Sequence, residues 1–164
     1  MDEIVWAVSP RHDTLESLAT YLERFAQDWL ATAGFRCRLD LPVQFPAWRL
    51  TSEVRHNVFL AFKEALHNVV KHSGASEVTI RLAVMESSFE LAVADNGRGF
   101  AVGEKAKHSA VVQGRAASGN GLENMKRRLA VMGGSCEIQS VPGAGTRVMF
   151  FVRLKVPAGE RSGR

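Results

Sequence analysis

An alternating run, Phe89-Glu90-Leu91-Ala92-Val93-Ala94, is followed directly by Asp95-Asn96-Gly97-Arg98-Gly99-Phe100. Side chains of a strand point to opposite faces with a period of two, so Asp95 keeps the parity of Phe89, Leu91 and Val93 and aims a carboxylate at the core side. A buried carboxylate is costly unless donors satisfy it, and Gly97 and Gly99 would let a ligand come close where side chains would otherwise stand. An exocyclic amine on a planar base is a donor of the right kind. Asp-Asn-Gly is equally ordinary turn chemistry, and a plain strand-ending turn also accounts for the hexapeptide taken alone.

Residues 52–72 carry a second set. Phe59, Phe62, Leu66 and Val69 form one stripe at helical spacing, while Glu64, Asn68, Lys71 and His72 fall on the opposite side. Every amphipathic helix has a solvated face, but these residue types supply a base, a neutral oxygen ligand for a hard cation, and donors for phosphate oxygens. A third set, Gly119-Asn120-Gly121-Leu122, opens a short helix, whose unpaired N–H groups and positive dipole end attract anions. Glycine also serves simple loop entry there. Gly143-Ala144-Gly145-Thr146 reads as a hairpin turn, with the Thr146 hydroxyl opening a strand that could lie beside the base pocket.

The elements that must position these groups follow from periodicity and punctuation. Asp13 with Glu16 three residues on looks like a capping box, ahead of Leu15, Leu18, Leu22, Phe25 and Trp29 at three-and-four spacing, and Gly34 is placed to stop that helix. Residues 36–41 alternate as a strand, and Pro42 and Pro46 mark a loop before the helix over 52–72. Strands are expected at 77–84 and 88–95. Residues 101–118 have no period and suggest a mobile lid. Leu122, Met125, Leu129 and Met132 define a short helix closed by Gly133-Gly134, and two last strands flank Pro142-Gly143-Ala144-Gly145. The tail, residues 157–164, looks disordered.

The 164 residues are 46% hydrophobic and 23% charged, which fits one globular domain with a sizeable core. The apolar runs are short and broken by charge, and the N-terminus lacks the layout of a signal peptide, so a cytoplasmic chain with no membrane contact is expected. Net charge is +4, but Lys and Arg are dispersed among Asp and Glu, which suits a small polyanion better than duplex nucleic acid. Cys37 and Cys136 lack metal-ligand spacing and read as packing residues.

Taken in order, Glu-x-x-x-Asn on a helix, Asp-x-Gly-x-Gly after a strand, a loose loop, Gly-x-Gly-Leu opening a helix and Gly-x-Gly-Thr resemble the ATP-binding domain shared by histidine kinases, DNA gyrase, heat-shock chaperones and mismatch-repair ATPases. The resemblance covers about residues 36–154. Lys63-Glu64-Ala65-Leu66-His67-Asn68-Val69-Val70-Lys71-His72 and Gly119-Asn120-Gly121-Leu122-Glu123-Asn124-Met125 look like sensor histidine kinases of the nitrate-sensor type.

That resemblance implies an α/β two-layer sandwich, a mixed sheet of about five strands with three helices on one face. It implies ATP and Mg2+ as ligands. Asp95 would accept from the adenine amino group, helped by Thr146 and with Gly97 and Gly99 close to the nucleotide. Asn68 would bind Mg2+, Lys71 and His72 would face the phosphates, and Glu64 would polarise the acceptor. Gly119, Gly121 and Leu122 would bring a helix start to the phosphate chain, and Lys105, Lys107, His108 and Arg115 are possible lid contacts. Residues 13–156 would be the catalytic domain, and residues 1–12 the end of a preceding phosphoacceptor (dimerisation) hairpin and its linker, where exposed Val5 and Trp6 could mediate chain contacts. The implied partners are that hairpin and a response regulator receiver domain, in an intact protein that is a homodimer.

His12-Asp13 resembles a phosphoacceptor pair but is rejected. Asp13 has a capping role, Ser17 stands where the kinase class has Gln, and no two-helix hairpin fits between His12 and the Glu64 helix. Other readings stay open: an ATPase in which Glu64 activates water, a serine kinase acting on a small antagonist protein, or a non-catalytic nucleotide-sensing module.

Overall fold

The computed structural model describes residues 9–102 and 120–155. The linker residues 1–8 with Val5 and Trp6, the lid with its four cations, Gly119 and the tail lie outside the described residues.

The helices are α1 (Leu15–Thr32), α2 (Ser52–Asn68) and α3 (Asn120–Val131). The strands are β1 (Arg36–Asp40), β2 (Glu77–Val84), β3 (Ser88–Asp95), β4 (Ser135–Ser140) and β5 (Thr146–Arg153). They form one sheet in the order β1-β2-β3-β5-β4, with β1 parallel to β2 and the other pairs antiparallel. A mixed five-stranded sheet with three helices is the expected architecture.

Strand parity decides which face is covered. Val78, Ile80 and Leu82 of β2, Phe89, Leu91 and Val93 of β3, and Val148, Phe150 and Val152 of β5 are buried in one cluster with Leu18, Leu22, Phe59, Phe62 and Leu66 of the helices. The alternate residues carry ion pairs instead: Arg38–Glu77, Arg81–Asp40 and Arg147–Glu90.

The stops are the expected ones. Gly34 has φ +81°, its N–H donates to Ala31 O, and Phe35 N–H donates to Leu30 O, the paired pattern of a helix ended by a left-handed glycine. Gly133 and Gly134 end α3 in the same way, donating to Ala130 O and Leu129 O. Two details differ from expectation. Thr14, not Asp13, caps α1, accepting from Ser17 N–H at 3.2 Å, while Asp13 pairs with Arg49 Nε at 2.8 Å. The two residues are both good caps, and the fold spends Asp13 on joining the α1 entry to the segment before α2. Asp13, next to His12, thus serves an ion pair and not a helix cap. His12 itself lies in a single 3-10 turn, Pro10–His12, whose Ser9 and His12 carbonyls accept from the buried Arg55 guanidinium at 2.9 Å each.

The second difference lies at the end of α2. The helix stops at Asn68 and continues as one π turn, Val69–Ser73, before Gly74 at φ +61°.

Candidate functional site

Asp95 ends β3 opposite Val78 on one side and Thr146 on the other, on the helix-covered face. Its Oδ1 accepts from Gly97 N–H at 2.9 Å. Burial pushes the carboxyl above the usual carboxylate range, and backbone N–H groups of Gly97 and Thr146 pull the other way. The carboxylate lines a cavity of about 200 Å³ with Asn68, His72, Gly99, Leu122 and Thr146. Its walls are otherwise largely apolar: Ala65, Val69, Val93, Phe100 and Val148. One half-buried acid in an apolar slot, with an amide and an imidazole toward the helix end, suits a flat base carrying an amine and a polar tail.

The π turn sets which α2 residues reach this cavity. Asn68, Val69, His72 and Ser73 line it, whereas Lys71, expected to face the phosphates, is exposed and does not. Three contacts hold the wide turn: Ser73 Oγ donates to Val69 O at 2.6 Å, Arg98 Nε to His72 O at 2.7 Å, and Arg98 N–H to Ser73 O at 2.9 Å. Arg98 carried no sequence signal, because its partners are backbone carbonyls brought close only by the fold.

At three glycines the fold brings protein backbones together. A Cβ at Gly97 would collide with Ser73 O, one at Gly99 (φ +59°) with Val141 O, and one at Gly145 (φ +82°) with Asp95 O. The close approach is thus between protein backbones, which locks the Asp95 loop against both the π turn and the β4–β5 hairpin. Gly143 N–H donates to Arg98 O at 2.7 Å across the same junction. Ser140, unmarked by any motif, accepts from Phe100 N–H at 2.8 Å and lies 2.8 Å from the Thr146 hydroxyl.

Glu64 stands apart from Asp95. It lines a second cavity of about 320 Å³ with Trp29, Leu60, Lys63, His67, Asn124 and Arg128, and its Oε1 occupies the place where a Gly121 side chain would begin. Leu122, one residue on, lines the first cavity, so the start of α3 forms the partition between the two.

Among the described residues there is no group of three His, Cys, Asp or Glu side chains suited to a metal. The neutral side-chain oxygen of Asn68, on the first cavity, is of the kind that suits Mg2+, an ion that takes oxygen ligands and is commonly held together with phosphates and water. Cys37 and Cys136 are half-buried thiols, with Cys136 pushed up to about 11 by burial.

Fold and cavity together define a two-layer sandwich of mixed sheet and helices with an acid-bearing slot between the sheet and the helices. A profile of the family described as histidine kinase-, DNA gyrase B- and HSP90-like ATPase matches residues 53–156, and the chain belongs to that family. It is 37% identical over 119 residues to the sensor histidine kinase LiaS of Bacillus subtilis, covering 73% of this chain and 29% of LiaS. It is 33% identical over 101 residues to the sensor protein VraS of Staphylococcus saprophyticus, covering 62% of this chain and 26% of VraS. The chain thus spans less than a third of these curated relatives. Two solved structures share its fold. The histidine kinase domain of the Erythrobacter litoralis EL346 blue-light activated histidine kinase has a TM-score of 0.66 at 18% identity, over 93% of this chain and 69% of that one. The Acinetobacter baumannii histidine kinase AdeS has 0.64 at 15%, over 88% and 66%. The chain is therefore a domain of that ATPase family, similar to part of two sensor kinases.

Proposed function

We infer that residues 13–156 form the catalytic domain of a two-component sensor kinase, passing the γ-phosphoryl group of ATP to a histidine on a helical hairpin outside this sequence. The observation that carries the reading is the half-buried Asp95 carboxylate in an apolar cavity that also holds Asn68 and His72. Asp95 would accept from the adenine amine, with Thr146 and its neighbour Ser140 at the same end. The π turn would direct His72 at the phosphates, and the first turn of α3 would offer its unpaired N–H groups to the same anions. Lys71, exposed beside them, would act only after a side-chain movement.

Phosphoryl transfer asks for positioning and charge neutralisation more than for covalent protein chemistry. Mg2+, when bound, would neutralise phosphate charge, and Asn68 would hold it through its side-chain oxygen. Glu64 would polarise the incoming histidine. A response regulator receiver domain would take the phosphoryl group next, in a homodimer joined through the hairpin. No nucleic acid contact is proposed. The domain would act in the cytoplasm, and no helix among the described residues is long and apolar enough to cross a membrane.

The test is transfer from labelled ATP with Mg2+ to a separately supplied phosphoacceptor hairpin. Asn68→Ala and Asp95→Ala should each abolish it. Transfer surviving both substitutions overturns the site, and steady hydrolysis without any acceptor favours the ATPase reading.

A further inference from the structure

Gly121 lies in the first turn of α3, and the nearest atoms to an added Cβ all belong to one side chain: Glu64 Oε1 overlaps it, Glu64 Cδ is 3.2 Å away and Cγ 3.6 Å. This differs from Gly97, Gly99 and Gly145, whose nearest neighbour is in each case a backbone carbonyl oxygen. The Glu64 carboxylate therefore lies against the backbone of the first turn of α3. Glycine at 121 makes the room. Were a methyl group there, the carboxylate could swing into the adjoining cavity, whose lining includes Lys63, His67 and Arg128.

Resting on the nucleotide reading above, we propose that Gly121 is a positioning residue whose missing side chain houses the Glu64 carboxylate, fixing that acid at the α3 partition beside the nucleotide cavity. Its glycine is then required by Glu64 and not by the approach of phosphate. The two roles predict different kinetics. Crowding a phosphate weakens nucleotide binding, whereas displacing an acid that acts on the acceptor slows transfer and leaves binding almost untouched.

The experiment is a double-mutant cycle on the full chain, reading ADP affinity by calorimetry, melting temperature, and transfer from Mg-ATP to a supplied phosphoacceptor hairpin. Gly121→Ala should melt like the wild type, bind ADP within about twofold, and transfer between about ten and a hundredfold more slowly. In a Glu64→Ala background the same substitution should cause no further loss, because nothing remains to be displaced. Glu64→Asp, which shortens the reach to Gly121 without touching α3, should reproduce the slow transfer with normal ADP binding. ADP affinity falling in step with transfer in Gly121→Ala overturns the proposal, as does an equal loss in both backgrounds. Failure of the underlying nucleotide reading shows separately, as ADP binding indifferent to Asp95→Ala, and removes this proposal with it.

Discussion

Asp95 is the residue where placement and electrostatics meet. Its parity was readable because β3 alternates without interruption, and one slipped residue would have turned the acid to the opposite face. Its raised pKa has a definite sign for stability. A carboxyl that holds its proton more tightly in the folded state favours folding at low pH, and that contribution is lost as pH rises through the folded value. At neutral pH the ionised group is thus a cost to the ligand-free protein. Asp95→Asn should raise the melting temperature at pH 7, and the gain should vanish once the pH falls below the ordinary carboxylate range. The same substitution should weaken ADP binding at pH 7. In the wild type, affinity should fall as acidification protonates Asp95. A melting temperature lowered by Asp95→Asn at pH 7 would contradict the burial argument. Glu64 and Lys71 were less legible than Asp95. Helical spacing grouped them with Asn68, but where Glu64 points depends on how α3 docks, and Lys71 falls on a turn that is not α-helical.

At the scale of elements, the strand spans 77–84 and 88–95 agree with the sequence because apolar alternation and bounding turns both mark them. The π turn was illegible for the opposite reason. Val69-Val70-Lys71-His72-Ser73 continues the helix pattern, and two of the three contacts that hold the wide turn come from a distant residue, Arg98. Asp13 and Thr14 show a local ambiguity of another kind, two capping residues side by side. The far end of α2 offers a clean control, since Thr51 caps it by accepting from Val54 N–H at 3.2 Å and lies outside the residues lining the Asp95 cavity. Thr51→Ala should cost about 1 kcal/mol of stability. A shift in denaturant midpoint without a change in ADP affinity is the expected result. Loss of binding would mean that the cavity depends on the whole of α2 being held.

At the scale of the molecule, the order of strands fixes what the two thiols can do. Cys37 is on β1 and Cys136 on β4, the two edges of the sheet. Four strand spacings separate them by about 19 Å, far beyond the roughly 7 Å that a disulfide allows between Cα atoms. Oxidation should leave the chain free of an intramolecular disulfide, as intact mass with and without reductant will show. A two-proton mass loss in the monomer would require the sheet to open. The same sheet has a layered division of labour. Ion pairs on its polar face are partly exposed and worth little each, so raising the salt should barely move the melting temperature.

The pairing of Asp95 with Thr146 joins two hairpins across residues 96–145. Each hairpin closes locally, but the seam between them closes late, since a long loop must be fixed before any contact rewards it. A chain made from its N-terminus therefore carries Asn68, His72 and Asp95 for some time without a binding site. Nucleotide cannot template the early stages of folding, and selects only chains whose last strand has already joined the sheet.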